Sequence, residues 1–132
     1  MPDSSQQECV FCEVIAGERS ADIILESESY ICIADKYPVT DGHALVLPKV
    51  HKQNLGAANW EQLNSFLREA IAVVRDRYNP DAMNVGINDG PEAGQTIPHL
   101  HWHIIPRYEG DISDPTGGVR GVIPDRRIYD SE

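Results

Sequence analysis

Three of the chain's five histidines stand in the segment His99-Leu100-His101-Trp102-His103-Ile104-Ile105. Imidazole and apolar side chains alternate there, and a strand places successive residues on opposite faces. The spacing therefore predicts a strand over 99–105, with three imidazoles on one side and Leu100, Trp102 and Ile104 in the core. A neutral imidazole can serve as nucleophile, base or metal ligand near pH 7. One metal shared by all three is excluded by reach. At roughly 3.3 Å per residue, the Cα atoms of His99 and His103 lie about 13 Å apart, whereas each nitrogen ligand must come within about 2 Å of a shared zinc. The three must divide the labour, and His101, flanked by the other two, is best placed as nucleophile or base.

The segment just before the triad, Asn88-Asp89-Gly90-Pro91-Glu92-Ala93-Gly94-Gln95-Thr96, is rich in turn residues. Taken alone it reads as a loop joining two antiparallel strands. Beside imidazoles it has a second reading, in which backbone N–H groups near Gly94, with the side chains of Gln95 and Thr96, form an anion nest for a phosphate. Near the N-terminus, Cys9-Val10-Phe11-Cys12 has the gap that lets two thiolates reach one tetrahedral ion, but it supplies only half a site. A redox pair or two idle thiols are the alternatives. Cys32 lies in an apolar run and reads as a core residue.

The elements that must position these groups follow from periodicity and turn residues. A short helix is expected over 11–16, ended by Gly17, and then a hairpin of strands over 22–27 and 30–34 with a polar break at Glu28-Ser29. A loop over 35–42 carries Pro38, Asp41 and Gly42 and leads into a strand over 43–47 that Pro48 stops. The clearest helix is expected over 59–77, where Trp60, Leu63, Phe66, Leu67, Ala70, Ile71 and Val74 recur at three- and four-residue intervals. Asn59 caps it, with Gln62 three residues on, and Pro80 blocks its continuation. Strands over 83–88 and 99–105 flank the glycine-rich loop. From Pro106 onward there is no periodicity, and an arm or loop is expected. Five strands, one long helix and no regular βαβ alternation predict an α+β fold with a mainly antiparallel sheet, one face of which is free for chemistry.

At 132 residues and 14.7 kDa there is room for one domain, expected over 9–132 after a tail over 1–8. Eleven Lys and Arg against 21 Asp and Glu give a net charge of −10, which opposes non-specific binding to nucleic acid or an anionic membrane. A small anion still binds if donors converge at its site. No apolar run reaches the roughly 18 residues of a membrane helix, and the polar start lacks the order of a signal peptide. Three Cys, an odd number, fit a reducing compartment, so the cytoplasm is expected.

On these residues the sequence resembles the histidine triad (HIT) family of nucleotide hydrolases and transferases. The resemblance is carried by His99-x-His101-x-His103, by Gly94-Gln95-Thr96, by Phe11-Cys12-Glu13-Val14-Ile15-Ala16-Gly17-Glu18, by Asp35 with Pro38, and by Gly42-His43-Ala44-Leu45-Val46-Leu47-Pro48-Lys49-Val50-His51. It implies a HIT-like fold, a five-stranded antiparallel sheet with one long and one short helix, and a homodimer joining two such sheets into ten strands. It also implies a purine nucleotide substrate attacked at its α-phosphorus by His101, giving a nucleotidyl-histidine that water cleaves. By the same resemblance the His99 carbonyl orients His101 through Nδ1, while His103, Asn88, Gln95 and Thr96 surround the phosphates and leaving group. Asp35 would hold the ribose, Lys36, Ile31 and Ile33 would form part of the nucleoside pocket, and His43 would stand behind the triad. Some similar family members hold structural zinc, which here would fall to Cys9, Cys12, His51 and His99.

His103 favours a hydrolase, since transferase-like relatives usually carry Gln there. The segment Pro106-Arg107-Tyr108-Glu109-Gly110-Asp111 is similar to one in dinucleoside-polyphosphate hydrolases, with phosphoramidates as the other substrate class. Arg120 reads either as a phosphate ligand or, more simply, as part of a surface loop. A nucleotidyl transferase and a non-catalytic nucleotide-binding module are the competing functions.

Overall fold

The computed structural model describes residues 9–129, so the tail expected over 1–8 lies outside the described residues. The elements run α1 (Val10–Ile15), β1 (Ile23–Glu26), β2 (Tyr30–Ala34), β3 (Ala44–Pro48), α2 (Trp60–Tyr78), β4 (Ala82–Ile87) and β5 (Trp102–Arg107), with short 3-10 turns between and after them. The strands form one sheet in the order β1-β2-β3-β5-β4, and every neighbouring pair is antiparallel. The chain leaves β3, crosses the sheet through α2, forms the edge strand β4 and returns through the 88–98 loop. β5 is thereby inserted between β3 and β4.

Helix α2 forms where the three- and four-residue repeat placed it. The Asn59 side chain accepts the Gln62 N–H at 3.1 Å, and the far end is closed by Asn79 in the left-handed region (φ 48°) just before Pro80. Its stripe of Leu63, Phe66, Ala70 and Val74 packs on the sheet face carrying Tyr30, Cys32, Ala44, Val46, Leu100, Trp102 and Ile104. Gly42 opens the turn into β3 at φ +89°, where an added Cβ would stand 2.7 Å from the Tyr78 ring, so both conformation and space require glycine. No described helix is long and apolar enough to cross a membrane.

Two expectations need correction. The opposite sheet face is only partly free: α1 lies over it and buries Cys9, Phe11 and Val14 against Ile31, Ile33, Leu45 and Leu47, while Ile33 and Leu45 also line an open cavity there. Strand β5 starts at Trp102, three residues later than expected, and runs on through Arg107. Proline explains the late start. The β3–β5 register pairs Ala44 with Ile104 and Val46 with Trp102, so Leu100 would next face Pro48, which has no N–H to continue the ladder. The Leu100 N–H bonds instead to the Lys52 carbonyl. Smaller shifts shorten β1 by a residue at each end and start β3 at Ala44, with Pro48 as its last residue. Pro106 and Arg107 belong to β5, and the chain leaves the sheet at Tyr108.

Candidate active site

Although His99 and His101 precede the strand, the three imidazoles do share one side, and Leu100, Trp102 and Ile104 enter the core on the other. His99 is fully buried, His101 is 8% exposed, and His103 is half-buried on β5. His101 and His103 stand with ring centroids 5.2 Å apart, and Phe11 of α1 meets both His99 and His101 edge-on at 5.8 and 5.0 Å. The first helix therefore clamps the row from above.

The hydrogen bonds set the protons on these rings. His101 Nδ1 lies 2.8 Å from the His99 carbonyl oxygen; a carbonyl only accepts, so the proton is on Nδ1 and the Nε2 lone pair is free. His99 Nε2 donates to the Pro48 carbonyl at 2.8 Å, which leaves the Nδ1 lone pair facing two thiols. Burial pushes His101 below its ordinary value despite the His99 carbonyl and Asp35, and burial, then the neighbouring His101 and His43, pushes His103 down to about 4. Both rings are neutral at pH 7. Neutrality gives His101 the unshared pair that a nucleophile needs.

A cavity of about 1000 Å³ opens in front of His101 and His103. Asp35, Lys36, Ile33, Asn88, Gly94 and Thr96 line it together with His101 and His103. Asp35 Oδ1 accepts the Tyr37 N–H at 2.9 Å, and Oδ2 lies 3.4 Å from His43 Nε2. His43, buried behind the row, reaches His103 Nδ1 at 2.9 Å. Ile31 is not in the lining; it is buried beneath α1. Gln95 also stands apart, because its amide ties the loop together: Oε1 accepts the Gly90 N–H, and Nε2 donates to the Gln53 and Ile97 carbonyls. The backbone nest expected near Gly94 is likewise engaged internally, since the N–H groups of Ala93, Gly94 and Gln95 donate to carbonyls of Gly90 and Pro91. The 3-10 turn at Pro91–Ala93 uses those donors. Arg120 donates to the Arg126 and Arg127 carbonyls and covers the Tyr129 ring at 4.0 Å, as a surface loop would have it.

Sequence reasoning missed the apolar wall of the cavity. Val10, Phe11 and Val14 of α1, with Leu45 and Ile97, supply it, and Arg19 to Asp22 form its rim. The three- and four-residue steps from Val10 and Phe11 to Val14, in a helix too short to hold itself, were the available signal.

The thiol cluster lies at the other end of the row. Cys9 Sγ and Cys12 Sγ are 3.4 and 3.5 Å from His99 Nδ1, and Cys12 Sγ is 3.2 Å from His51 Nδ1. All four donor atoms fall within 4.8 Å of one another. Tetrahedral zinc, with Zn–S of about 2.3 Å and Zn–N of about 2.0 Å, places S and N about 3.5 Å apart, so the residues fit the ion. His51 Nε2 is buried with no partner, so the ring is oriented by what its Nδ1 meets. Burial, then the Cys9 thiol, pushes the Cys12 thiol up to about 12; its ligation would therefore displace a proton.

The fold and the site together define a class: a five-stranded antiparallel sheet, packed on both faces, that carries a row of three imidazoles, two of which line a cavity. The chain belongs to the HIT family: the HIT domain matches residues 16–110. It is 37% identical to an uncharacterized HIT-like protein of Methanocaldococcus jannaschii over 78% of this chain and 81% of that one. It is 36% identical to the adenylylsulfatase HINT3 of Arabidopsis thaliana over 80% of this chain and 55% of the relative. Among solved structures it is similar to a Zn-bound histidine triad family protein from Mycobacterium smegmatis, with a TM-score of 0.72 and 37% identity over 80% of this chain and 79% of that one.

Proposed function

We propose that the protein is a nucleotide hydrolase that cleaves at an α-phosphate through a nucleotidyl-histidine intermediate. One observation carries the reading: His101 donates Nδ1–H to the His99 carbonyl and so leaves Nε2 unprotonated beside the cavity. In the first step the Nε2 lone pair forms a bond to phosphorus while the bond to the leaving group breaks, its electrons departing with that group. The ring becomes an imidazolium whose Nδ1–H stays on the carbonyl, so attack requires no proton removal. In the second step water bonds to phosphorus, the P–N bond breaks, a proton is lost to solvent, and His101 returns to its neutral form.

The remaining residues support binding and orientation. Ile33, Phe11 and Val14 offer an apolar wall for a base, Asp35 keeps lone pairs for ribose hydroxyls, and Lys36, Asn88, Gly94 and Thr96 face the phosphates. Gln95 acts through the loop that it ties. Cys9, Cys12, His51 and His99 would hold zinc, whose role there is structural: His99 offers the ion Nδ1 and offers His101 its carbonyl. The likeness to a Zn-bound relative agrees with this. We infer a homodimer formed along the edge strand β4 and the outer face of α2, where Leu67 and Ile71 remain half-buried beside an open groove. Three free thiols suit a reducing compartment such as the cytoplasm.

The test is a substrate panel of diadenosine polyphosphates, adenosine phosphoramidate and adenosine phosphosulfate. AMP release is expected, with His101→Ala lowering kcat roughly 10⁴-fold or more while AMP still binds. Phosphate-dependent ADP formation would assign a transferase, and binding without turnover a binding module.

A further inference from the structure

Asp35, His43 and His103 form a second group whose donor atoms lie within 4.8 Å of one another, as close as those of the thiol cluster. By residue type both are metal sites. The outward nitrogen of His43 argues otherwise. Its Nδ1 accepts the Val39 backbone N–H at 3.1 Å, so Nδ1 keeps its lone pair and the proton of the neutral ring is on Nε2. A metal at Nε2 would need a second lone pair, which only an imidazolate has. The group is therefore held together by a proton.

That proton points at His103 Nδ1, 2.9 Å away, with Asp35 Oδ2 at 3.4 Å. Because His103 Nδ1 receives a hydrogen bond, the proton of His103 is on Nε2. His101 has the opposite sense, protonated on Nδ1 and bare on Nε2. We propose that the Val39 backbone amide is a positioning group for the reaction: through His43 it fixes the His103 proton on Nε2, so that a donor stands beside the bare nitrogen of His101. Two backbone groups, the His99 carbonyl and the Val39 N–H, thus set the row in opposite senses. Burial keeps both His43 and His103 below their ordinary values, so the rings are neutral and it matters which nitrogen holds the proton. Val39 as a residue is 69% exposed, and its contact with His43 is made by the amide. The effect on rate rests on the hydrolase reading; the proton positions do not.

The test uses the full chain labelled with ¹⁵N-histidine and long-range ¹H–¹⁵N correlation at neutral pH. In the unaltered protein, His43 Nδ1, His103 Nδ1 and His101 Nε2 should read as lone-pair nitrogens and their ring partners as protonated. Val39→Pro removes the N–H. Because proline also restrains the backbone, an amide-to-ester replacement at Val39 serves as the second variant. Both should move His43 and His103 to mixed tautomers without altering His101. The kcat should fall roughly 10- to 100-fold, short of the ~100- to 1,000-fold cost of deleting a whole oxyanion donor, with KM little changed. A proton on Nδ1 of His43 or His103 in the unaltered protein, or unchanged tautomers in both variants, would overturn the proposal. If the tautomers read as expected while no nucleotide is hydrolysed, the hydrolase reading fails and the proton positions stand.

Discussion

The thiol cluster and the Asp35–His43–His103 group sit at opposite ends of one five-residue stretch and have similar spacing, yet their chemistry differs. In the first, His99 gives its Nε2–H to the Pro48 carbonyl, and the lone pair on Nδ1 faces Cys9 and Cys12. In the second, His43 accepts an amide N–H on its far side, and a proton is directed into the group. The backbone acceptor behind His99 leaves a lone pair turned toward the thiols, whereas the backbone donor behind His43 turns a proton into its group. His101 lies between them and takes its own orientation from a third backbone group. The chemistry of the row is therefore written in main-chain contacts more than in residue identities.

Removing a thiol should separate the two ends most sharply. Cys9→Ser is expected to abolish a stoichiometry of about one zinc per chain and to cost on the order of 5 kcal/mol, roughly 15 °C in melting temperature. His43→Gln should leave the zinc content unchanged. Elemental analysis reading two ions per chain, or full stability after Cys9→Ser, would erase the distinction. Phe11 bridges the comparison, because it packs on both His99 and His101. Phe11→Ala should destabilise by about 3 kcal/mol in denaturant unfolding and raise KM by removing the cavity wall; loss of neither would show that α1 does not clamp the row.

A smaller effect concerns acid. The folded value for His103 is about 4 against an ordinary 6.5, so between these limits the unfolded chain binds more protons than the folded one. This contribution to stability is complete above about pH 6.5 and is lost as pH falls through 4. His103→Gln should therefore make the loss of melting temperature between pH 7 and 4 shallower; superimposable profiles would contradict the assignment. The smallest effect is expected outside both groups. Arg120 is bound to carbonyls of its own arm, so Arg120→Ala should change stability by no more than about 1 kcal/mol and leave kcat/KM within about twofold. A large loss of kcat would bring the arm into the site.

The local parts of this arrangement were legible in the sequence. Alternation in 99–105 separated the imidazoles from Leu100, Trp102 and Ile104, and the repeat from Leu63 to Val74 located α2, because both patterns are set by neighbours along the chain. Contacts between distant segments were not. The late start of β5 depends on Pro48, more than fifty positions away, having no N–H to offer Leu100. The cover over the second sheet face comes from α1, whose six residues give little periodic signal. Gln95 and the Gly94 backbone had the right chemistry for a phosphate nest, but the 3-10 turn after Gly90 uses the same donors to close itself. Residue type showed which groups could donate. It did not show which were already engaged.

The hydrolase reading turns on whether His101 Nε2 bonds to phosphorus. Rapid quench of a single turnover at neutral pH, followed by mapping of the modified peptide, measures this directly. The expected result is AMP attached to the 99–103 segment at His101, accumulating and then decaying as AMP is released. Turnover with no labelled protein at any time, or label on another residue, would contradict it.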